Sequence, residues 1–429
     1  MTRATRWLPT HAHLRAVAMA AVGVLMAILA GRPDIAVLAA PFIGVAAWGA
    51  HRRPRRAPSA ELVLAEATVF EGQVTTTTVT VGADGASTGD IVAISLAAGP
   101  AVTWRPRSAA RASASAGGPA TSSIATRAVR WGRHSISVPA VACTSTLGAF
   151  RTDGIAAGAV VLTTLPLSAE FDAGDAVPRP AGLVGLHRAN RQGGGSEPAE
   201  VRPFRVGDRL RRINWRVSSR TGELHVTSTW SDRDTHVLLL LDTEADVGRS
   251  EGVDGRASSL DIAVRAAAAI AEHFLRAGDR VGLIDLGRRV RSVPPGSGRR
   301  HLRRLLDALV AAEAGPNHRP EPVQLRPTEA GALVVFLSPL VGPAGPTQIA
   351  QLAHHGHTVV VVDTLPDEPT QPVQPWTALA TRVRALERAA EIDHLGEMGV
   401  PVVRWQGRGT LDQVLRDVSR LAMAPRGRR

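Results

Sequence analysis

Three carboxylates at alternating positions, Asp242, Glu244 and Asp246, follow directly on the apolar run HVLLLLD at residues 236–242. Alternation over such a turn can aim several oxygens at one point, and an all-oxygen set suits a hard cation such as Mg²⁺. An acidic turn solvated at a strand end has the same sequence, so the residues alone leave both readings open. Asp285, Ser338-Pro339 and Asp363-Thr364 close three further apolar runs in the same way. An ion held there would support metal-assisted hydrolysis of a phosphate ester. Such an enzyme needs a further carboxylate or a lysine converging on the metal. The chain has no lysine, which leaves Asp285 and Asp363.

A second dense stretch is VRPFRVGDRLRRINWRVSSRTGELHV, residues 201–226, with seven arginines from Arg202 to Arg220. A nucleic-acid surface would interleave aromatics with exposed arginines, and only Phe204 and Trp215 are on offer. Asp208 or Glu223 could act as acid or base, but no second catalytic group lies at a diagnostic spacing. The pieces fit a structural seam better. Gly207-Asp208 makes a tight turn in which Asp208 accepts backbone amides or pairs an arginine. Ile213 and Trp215 alternate inward on a strand, with Trp215 anchoring the packing. Arg211 and Arg220 fork onto carboxylates of the half that follows.

Other chemistry-bearing residues read as structure. Gly193-Gly194-Gly195 has no helix pattern after it, so it is a flexible loop and not a phosphate cradle. His354, His355 and His357 sit at a helix end and turn without acidic neighbours, as a solvated surface. His134 lies in a strand pattern. The single cysteine, Cys143, excludes an internal disulfide and any Cys-rich zinc site.

The elements that must position these residues change along the chain. Leu14–Ala30 and Ile35–Ala50 are apolar runs separated by Gly31-Arg32-Pro33-Asp34, with arginine gathered at both outer ends, at Arg3, Arg6 and Arg15 and then at Arg52, Arg53, Arg55 and Arg56. Each is about long enough to cross a bilayer, and arginine on both outer flanks puts both termini in the cytoplasm. The second run, ending in HRRPRR, favours a hairpin anchor over a cleaved signal. Residues 57–166 alternate Val and Thr between Gly, Ser and Pro punctuation, as a β-sandwich does. Within them Ser108–Ser123 is Ala/Ser/Gly-rich and reads as a mobile loop. From Thr235 apolar strands alternate with amphipathic helices, which predicts a doubly wound, mainly parallel α/β sheet. The divisions are a hairpin at 1–56, a sandwich at 57–166, a linker with the arginine run at 167–234, an α/β domain at 235–424 and a basic tail at 425–429. The net charge of +12 is carried by arginine alone; it reads as the composition of a GC-rich genome more than as a polyanion site.

The arginine run resembles the hallmark of the bacterial family called domain of unknown function 58. The matching residues are Arg202, Phe204, Gly207, Asp208, Arg211, Ile213, Asn214 and Trp215, then Ser219, Arg220, Gly222 and Leu224. The resemblance extends to the hairpin and to AGDRVGLIDLG and PPGSGRRHLRRLLDAL. It implies a membrane-anchored protein with a von Willebrand factor A-like final domain, partnered by a MoxR-type AAA+ ATPase in chaperone-like assembly or maturation of client proteins. It also implies a metal-ion-dependent adhesion site. Here that site is Asp242, Glu244 and Asp246, with carboxylates where the family pattern of such domains has serines. Ser297 would supply the second-loop hydroxyl, and Ser338 lies beside Pro339, which stands where the late aspartate belongs. Asn214 replaces an aspartate of the hallmark, removing a charge from it.

The expectation is a non-enzymatic interaction protein on the cytoplasmic side of the cell membrane. It touches lipid through its hairpin, takes no cofactor beyond a Mg²⁺ that the acidic cluster could hold, and does not bind nucleic acid. The rival is a divalent-metal-dependent phosphatase or nuclease built on Asp242, Glu244 and Asp246.

Overall fold

The computed structural model describes residues 7–54, 59–82, 91–95, 100–105, 109–113, 119–137, 140–155, 158–167, 192–204, 210, 213–230, 236–287, 291–315, 332–342, 344–355, 357–366 and 375–406. Two compact units divide the chain: Met1–Leu165 with Glu251–Gly255, and Pro166–Ser250 with Arg256–Arg429. Arg3, Arg6, Arg55, Arg56, Gly207, Asp208, Arg211, the expected last helix and the basic tail lie outside the described residues.

The first unit begins with α1 (His11–Ala30) and α2 (Pro33–His51). Gly31 turns the chain between them at φ 61°, a conformation glycine adopts freely. Mean hydropathies of 1.9 and 1.5 go with only 11% burial of each most apolar window. Core helices of a soluble domain would be mostly covered; these are not. At about 1.5 Å per residue each is about 30 Å long, so both are long and apolar enough to cross a bilayer.

The strands of this unit are β1 (Leu8–Pro9), β2 (Ser59–Leu64), β3 (Thr68–Phe70), β4 (Val74–Gly82), β5 (Ile91–Ser95), β6 (Val102–Arg105), β7 (Ala109–Ser113), β8 (Ala120–Ala128), β9 (Gly132–Ile136), β10 (Ala140–Thr144), β11 (Phe150–Ile155) and β12 (Val160–Leu165). They form sheets ordered β1-β11-β10-β5-β7, β2-β4-β8-β6 and β3-β12-β9. Alternate residues such as Val79, Val81 and Ile124 point inward, and one buried cluster draws on all three sheets. Period-2 burial along β4 and β8 is the physical content of the Val/Thr alternation.

Three features depart from the sequence expectation. Ser108–Ser123 is not simply a loop: β7 pairs with β5 and the start of β8 pairs with β4. Small Ala and Ser side chains give little strand signal, yet their backbones complete the ladders. The hairpin is also no separate piece, since β1 pairs with β11 and Trp7 is buried in the sandwich core. Finally, Glu251–Gly255 completes the first unit: Val253 N donates to Val129 O at 2.7 Å and Arg127 pairs with Asp254.

The second unit carries the two-stranded ladder of β13 (Gln192–Pro203) and β14 (His225–Trp230), with α3 (Trp215–Thr221) between them in sequence. Its main sheet comprises β15 (His236–Leu241), β16 (Arg280–Asp285), β17 (Arg291–Gly296), β18 (Leu333–Ser338), β19 (Thr358–Asp363) and β20 (Val402–Arg404). The order is β17-β16-β15-β18-β19-β20, parallel except for β17. Helices α4 (Ser259–Arg276), α5 (Arg299–Val310), α6 (Ala344–His354) and α7 (Pro375–Glu397) complete it. Leu238 and Leu240 cluster with Ile349 and Leu352 of α6 and Leu395 of α7, while α4 packs over β15, β16 and β18. Val237, Leu239 and Leu241 are equally buried. A strand buried on every residue reads as a continuous apolar run, and HVLLLL is one.

Gly252 is the tightest point in the segment that completes the first unit. Its φ is +87°, and a Cβ there would lie 2.7 Å from Val129 O. Gly252→Ala should therefore lower stability by about 1–3 kcal/mol through strain and clash, read as a lower midpoint in thermal unfolding. An unchanged midpoint would mean that the segment is not held against Val129.

Candidate functional site

Register sets Asp242, Asp285, Ser338 and Asp363 in a row. Leu241 is opposite both Asp285 and Leu337, and Ser338 is opposite Asp363. Asp242 N–H still donates to Leu337 O at 2.9 Å, which fixes the carboxylate where the chain leaves β15. The chain builds outward from β15 to one edge and from β18 to the other, so this is the crevice where ligands of open parallel sheets lie.

Asp285 and Asp363 are buried, Asp242 is half-buried, and all three are already partnered. Asp242 Oδ2 accepts the Ser338 hydroxyl at 2.6 Å, and Oδ1 accepts Glu244 N–H at 3.1 Å. Ser338 Oγ in turn accepts Leu340 N–H at 3.0 Å, and Leu340 sits in the left-handed region at φ 51°. Such a backbone costs a non-glycine residue about 1–2 kcal/mol; burial of Leu340 in the core helps offset it. A Cβ on Gly345 would lie 3.4 Å from Ser338 Oγ and 3.5 Å from Asp242 Oδ2, so the first turn of α6 packs directly on this pair. Alongside, Thr243 donates to Asp285 Oδ1 at 2.6 Å, and Gly287 N–H donates to the same oxygen at 3.1 Å. Gly287 has no alternative: its Cβ would fall 1.8 Å from Thr243 Oγ1. At the next strand end Arg388 Nη2 of α7 lies 2.5 Å from Asp363 Oδ1, an ionic contact, while its Nε donates to Pro339 O at 3.3 Å.

Burial dominates the electrostatics. It pushes the Asp242 carboxyl above its usual range, against the Ser338 and Glu244 hydrogen bonds that favour the ion. Burial raises Asp285 as well, opposed by Thr243, Gly287 and Arg291. Glu244 is raised by burial and then by the Asp242 charge. In each case burial works against the charged form.

The adhesion-site residues are not brought together. Ser338 joins Asp242, but Asp246 accepts Ser259 Oγ at 3.2 Å and Leu260 N–H at 3.0 Å, serving the amino end of α4 beside the Ser258–Asp261 capping box. Ser297 is at the opposite edge of the sheet. β17 runs antiparallel to β16 with Gly296 opposite Val281, so Ser297 lies about five residues, or about 16 Å, from the end that carries Asp242. Among the described residues no group of three or more His, Cys, Asp or Glu side chains is placed to hold a metal ion. The donor set does not fit a divalent ion as arranged. The Thr243–Asp285 pair and Arg388 escaped the sequence reading. Asp285 stood out as a strand-end acid, but nothing in the sequence pairs it with a threonine 42 positions earlier.

The arginine run folds differently from a strand with an inward tryptophan. Asn214 caps α3, its Oδ1 accepting Val217 N–H at 3.3 Å and its amide donating to Thr227 Oγ1 at 3.2 Å. A carboxylate could not make that second donation, so the loss of charge at Asn214 has a positive use. Trp215 is therefore the first helical residue and is 69% exposed. The cap, not the alternation, decides the backbone here. Ser218 donates to Asn214 O and accepts His225 N–H, both at 2.8 Å, tying α3 to β14. Gly222, at φ 75°, ends the helix. Phe204 N–H donates to Leu224 O at 2.8 Å, and Ile213 bridges Val226. The run is a seam between β13 and β14. Ser219 and Arg220 are exposed, and Arg220 pairs with no carboxylate among the described residues; Arg202 donates to Pro203 O.

Residues 200–373 match the family described as "Protein of unknown function DUF58". Uncharacterized proteins of Mycobacterium tuberculosis (strain ATCC 25618 / H37Rv) and Mycobacterium bovis are each 34% identical over 135 residues, 31% of this chain and 42% of theirs. The chain thus matches less than half the length of these curated relatives. A solved structure titled as a protein of unknown function from Porphyromonas gingivalis W83 covers 25% of this chain and 48% of its own, at 14% identity and a TM-score of 0.18. That likeness carries no argument about fold.

A carboxyl that titrates above its ordinary value keeps, over that interval, a proton that the unfolded chain has released, so stability falls as pH rises. Asp242→Asn removes this term. From about pH 4 toward neutrality, the thermal midpoint of the parent chain should decline relative to that of Asp242→Asn. Parallel curves would mean that folding does not raise the Asp242 carboxyl above its value in the unfolded chain.

Proposed function

With a DUF58 family domain at residues 200–373 as premise, we propose that the chain is a membrane-anchored protein-interaction module. Its second unit is read as a doubly wound, von Willebrand factor A-like domain. Support comes from a sheet that is parallel except for edge strand β17 and from polar groups gathered at the β15/β18 switch. The partner is a MoxR-type AAA+ ATPase, as the family resemblance implies, with protein clients and with both termini in the cytoplasm.

The observation that carries the interaction reading is α3. A capping asparagine, a doubly bonded serine and a terminating glycine hold a helix whose one buried residue is Ser218. That helix adds almost nothing to the core; what it does is display Trp215. Leu210, Leu224 and Val201 are exposed in the same sequence segment, as are Arg216 and Arg220. An exposed tryptophan with aliphatic and arginine neighbours is the composition of a binding hot spot. The closed pairs Asp242–Ser338 and Thr243–Asp285 fit a scaffold better than a metal-dependent hydrolase.

Crosslinking of the full chain in membranes, followed by capture, should recover the ATPase in a nucleotide-dependent manner. Trp215→Ala should weaken that capture at least tenfold, about 1.4 kcal/mol, and leave the thermal midpoint unchanged because the side chain is outside the core. Phosphatase or nuclease turnover with Mg²⁺ or Mn²⁺, abolished by Asp242→Ala, would replace this reading with the hydrolase.

A further inference from the structure

The base of the hairpin is bonded to the sandwich within the first unit. Thr10 accepts His13 N–H as the cap of α1, donates its hydroxyl to Gly148 O, and sends its own N–H to Ala149 O at 3.0 Å. One residue thus starts the membrane helix and grips the turn Thr146–Gly148. The end of α2 meets the same turn: a Cβ on Gly49 would lie 2.8 Å from both Ala149 Cβ and His13 Cε1. The His13 and Phe150 rings are 5.2 Å apart. The turn therefore sits level with the start of α1 and the end of α2.

That level carries the marks of a headgroup layer. Trp48 is half-exposed with the Arg52 guanidinium 5.2 Å from its ring, and Arg53 lies 5.6 Å from the Phe150 ring. Tryptophan and arginine at helix ends favour the interface, with the ring in the boundary and the charge among phosphates. Leu147, at the tip of the turn, is 60% exposed and held at φ 57°. Leu8, two residues before Thr10, is 59% exposed. Single surface leucines are ordinary. Here two of them ring the hairpin base together with an exposed tryptophan and arginines, and one occupies a backbone conformation unfavourable to its side chain.

We propose that Leu8, Trp48 and Leu147 form an apolar collar that lies in the headgroup layer of an anionic bilayer, so that the sandwich rests on the membrane surface at this edge. The inference rests on the reading of α1 and α2 as membrane spans. Bonding through Thr10 and close packing at Gly49 hold the turn against the helices, so the depth of the helices sets the depth of the turn. The collar adds apolar insertion and guanidinium–phosphate contact to the anchor.

The test uses the full chain in anionic nanodiscs, with Cys143→Ala as background and an environment-sensitive dye on a single introduced cysteine. Labels at Leu147 and Leu8 should be quenched by headgroup nitroxide lipids several-fold more than a label at the exposed Val63 of β2. A label at Leu29, near the far end of α1, should not respond to nitroxides at the near face. Leu147→Asp should reduce quenching of the Leu8 label at least twofold, whereas Leu147→Gly, which relieves the backbone, should keep or raise the thermal midpoint. Quenching at Leu147 no greater than at Val63, in chains whose Leu29 label responds to acyl-chain nitroxides, overturns the collar and leaves the spans intact. Failure of the Leu29 label to respond to any nitroxide lipid removes the spans, and the collar with them.

Discussion

A carboxyl group buried at the end of a strand must be hydrogen-bonded, paired or protonated, and the working edge of the second unit is organised by that demand. Asp242, Asp285 and Asp363 are placed side by side by parallel register. Each receives a different answer: the Ser338 hydroxyl, the Thr243 hydroxyl and the Arg388 guanidinium. Those answers fix further positions. Gly287 leaves room for Thr243, Gly345 lets α6 settle on Asp242, and Leu340 accepts an unfavourable φ so that its N–H can reach Ser338. The acidic cluster that suggests a cation in the sequence is thereby converted into fastenings between strands and helices. Asp246 goes the same way, taken up at the amino end of α4.

The arginine-rich segment follows a different logic. Among the described residues its hydrogen bonds are local, and they close a small element in which β13, α3 and β14 support one another. Asn214, Ser218 and Gly222 have structural duties; among the described residues Trp215 and Arg220 are exposed and carry no such bond. A segment that holds an exposed tryptophan on a rigid support is suited to recognition, because little side-chain freedom remains to be lost on binding. The two apolar helices show the same economy. Thr10 bonds the start of α1 to the turn Thr146–Gly148 and α2 packs on it at Gly49, so that helices and strands belong to one compact unit.

Much of this could be read from residue patterns. The two apolar runs, the Val/Thr alternation of β4 and the all-apolar HVLLLL became the hairpin, a half-buried strand and a doubly covered strand, because hydrophobic periodicity reports directly which faces are buried. That Asp242 and Ser338 both stand at strand ends was legible as well; that β15 and β18 are neighbours, which brings the two together, was not. Ser297 was misplaced because nothing in RVRSVPPG says that β17 runs backward, and the direction of that one strand moves the serine to the other edge of the sheet. Trp215 was misplaced because an alternating Ile213–Trp215 pair looks like a strand, whereas the capping amide of Asn214 makes the next residue helical.

The sequence by itself determined which stretches are apolar, where chains of strands and helices begin, and which residue types stand at strand ends. It did so because those depend on local spacing and on the free energy of burying side chains. Only the tertiary structure decided which strand end meets which, that Glu251–Gly255 belongs with the first unit, and that Trp215 faces outward. These depend on contacts between residues tens to a hundred positions apart, and no local periodicity encodes the partner of a buried carboxyl.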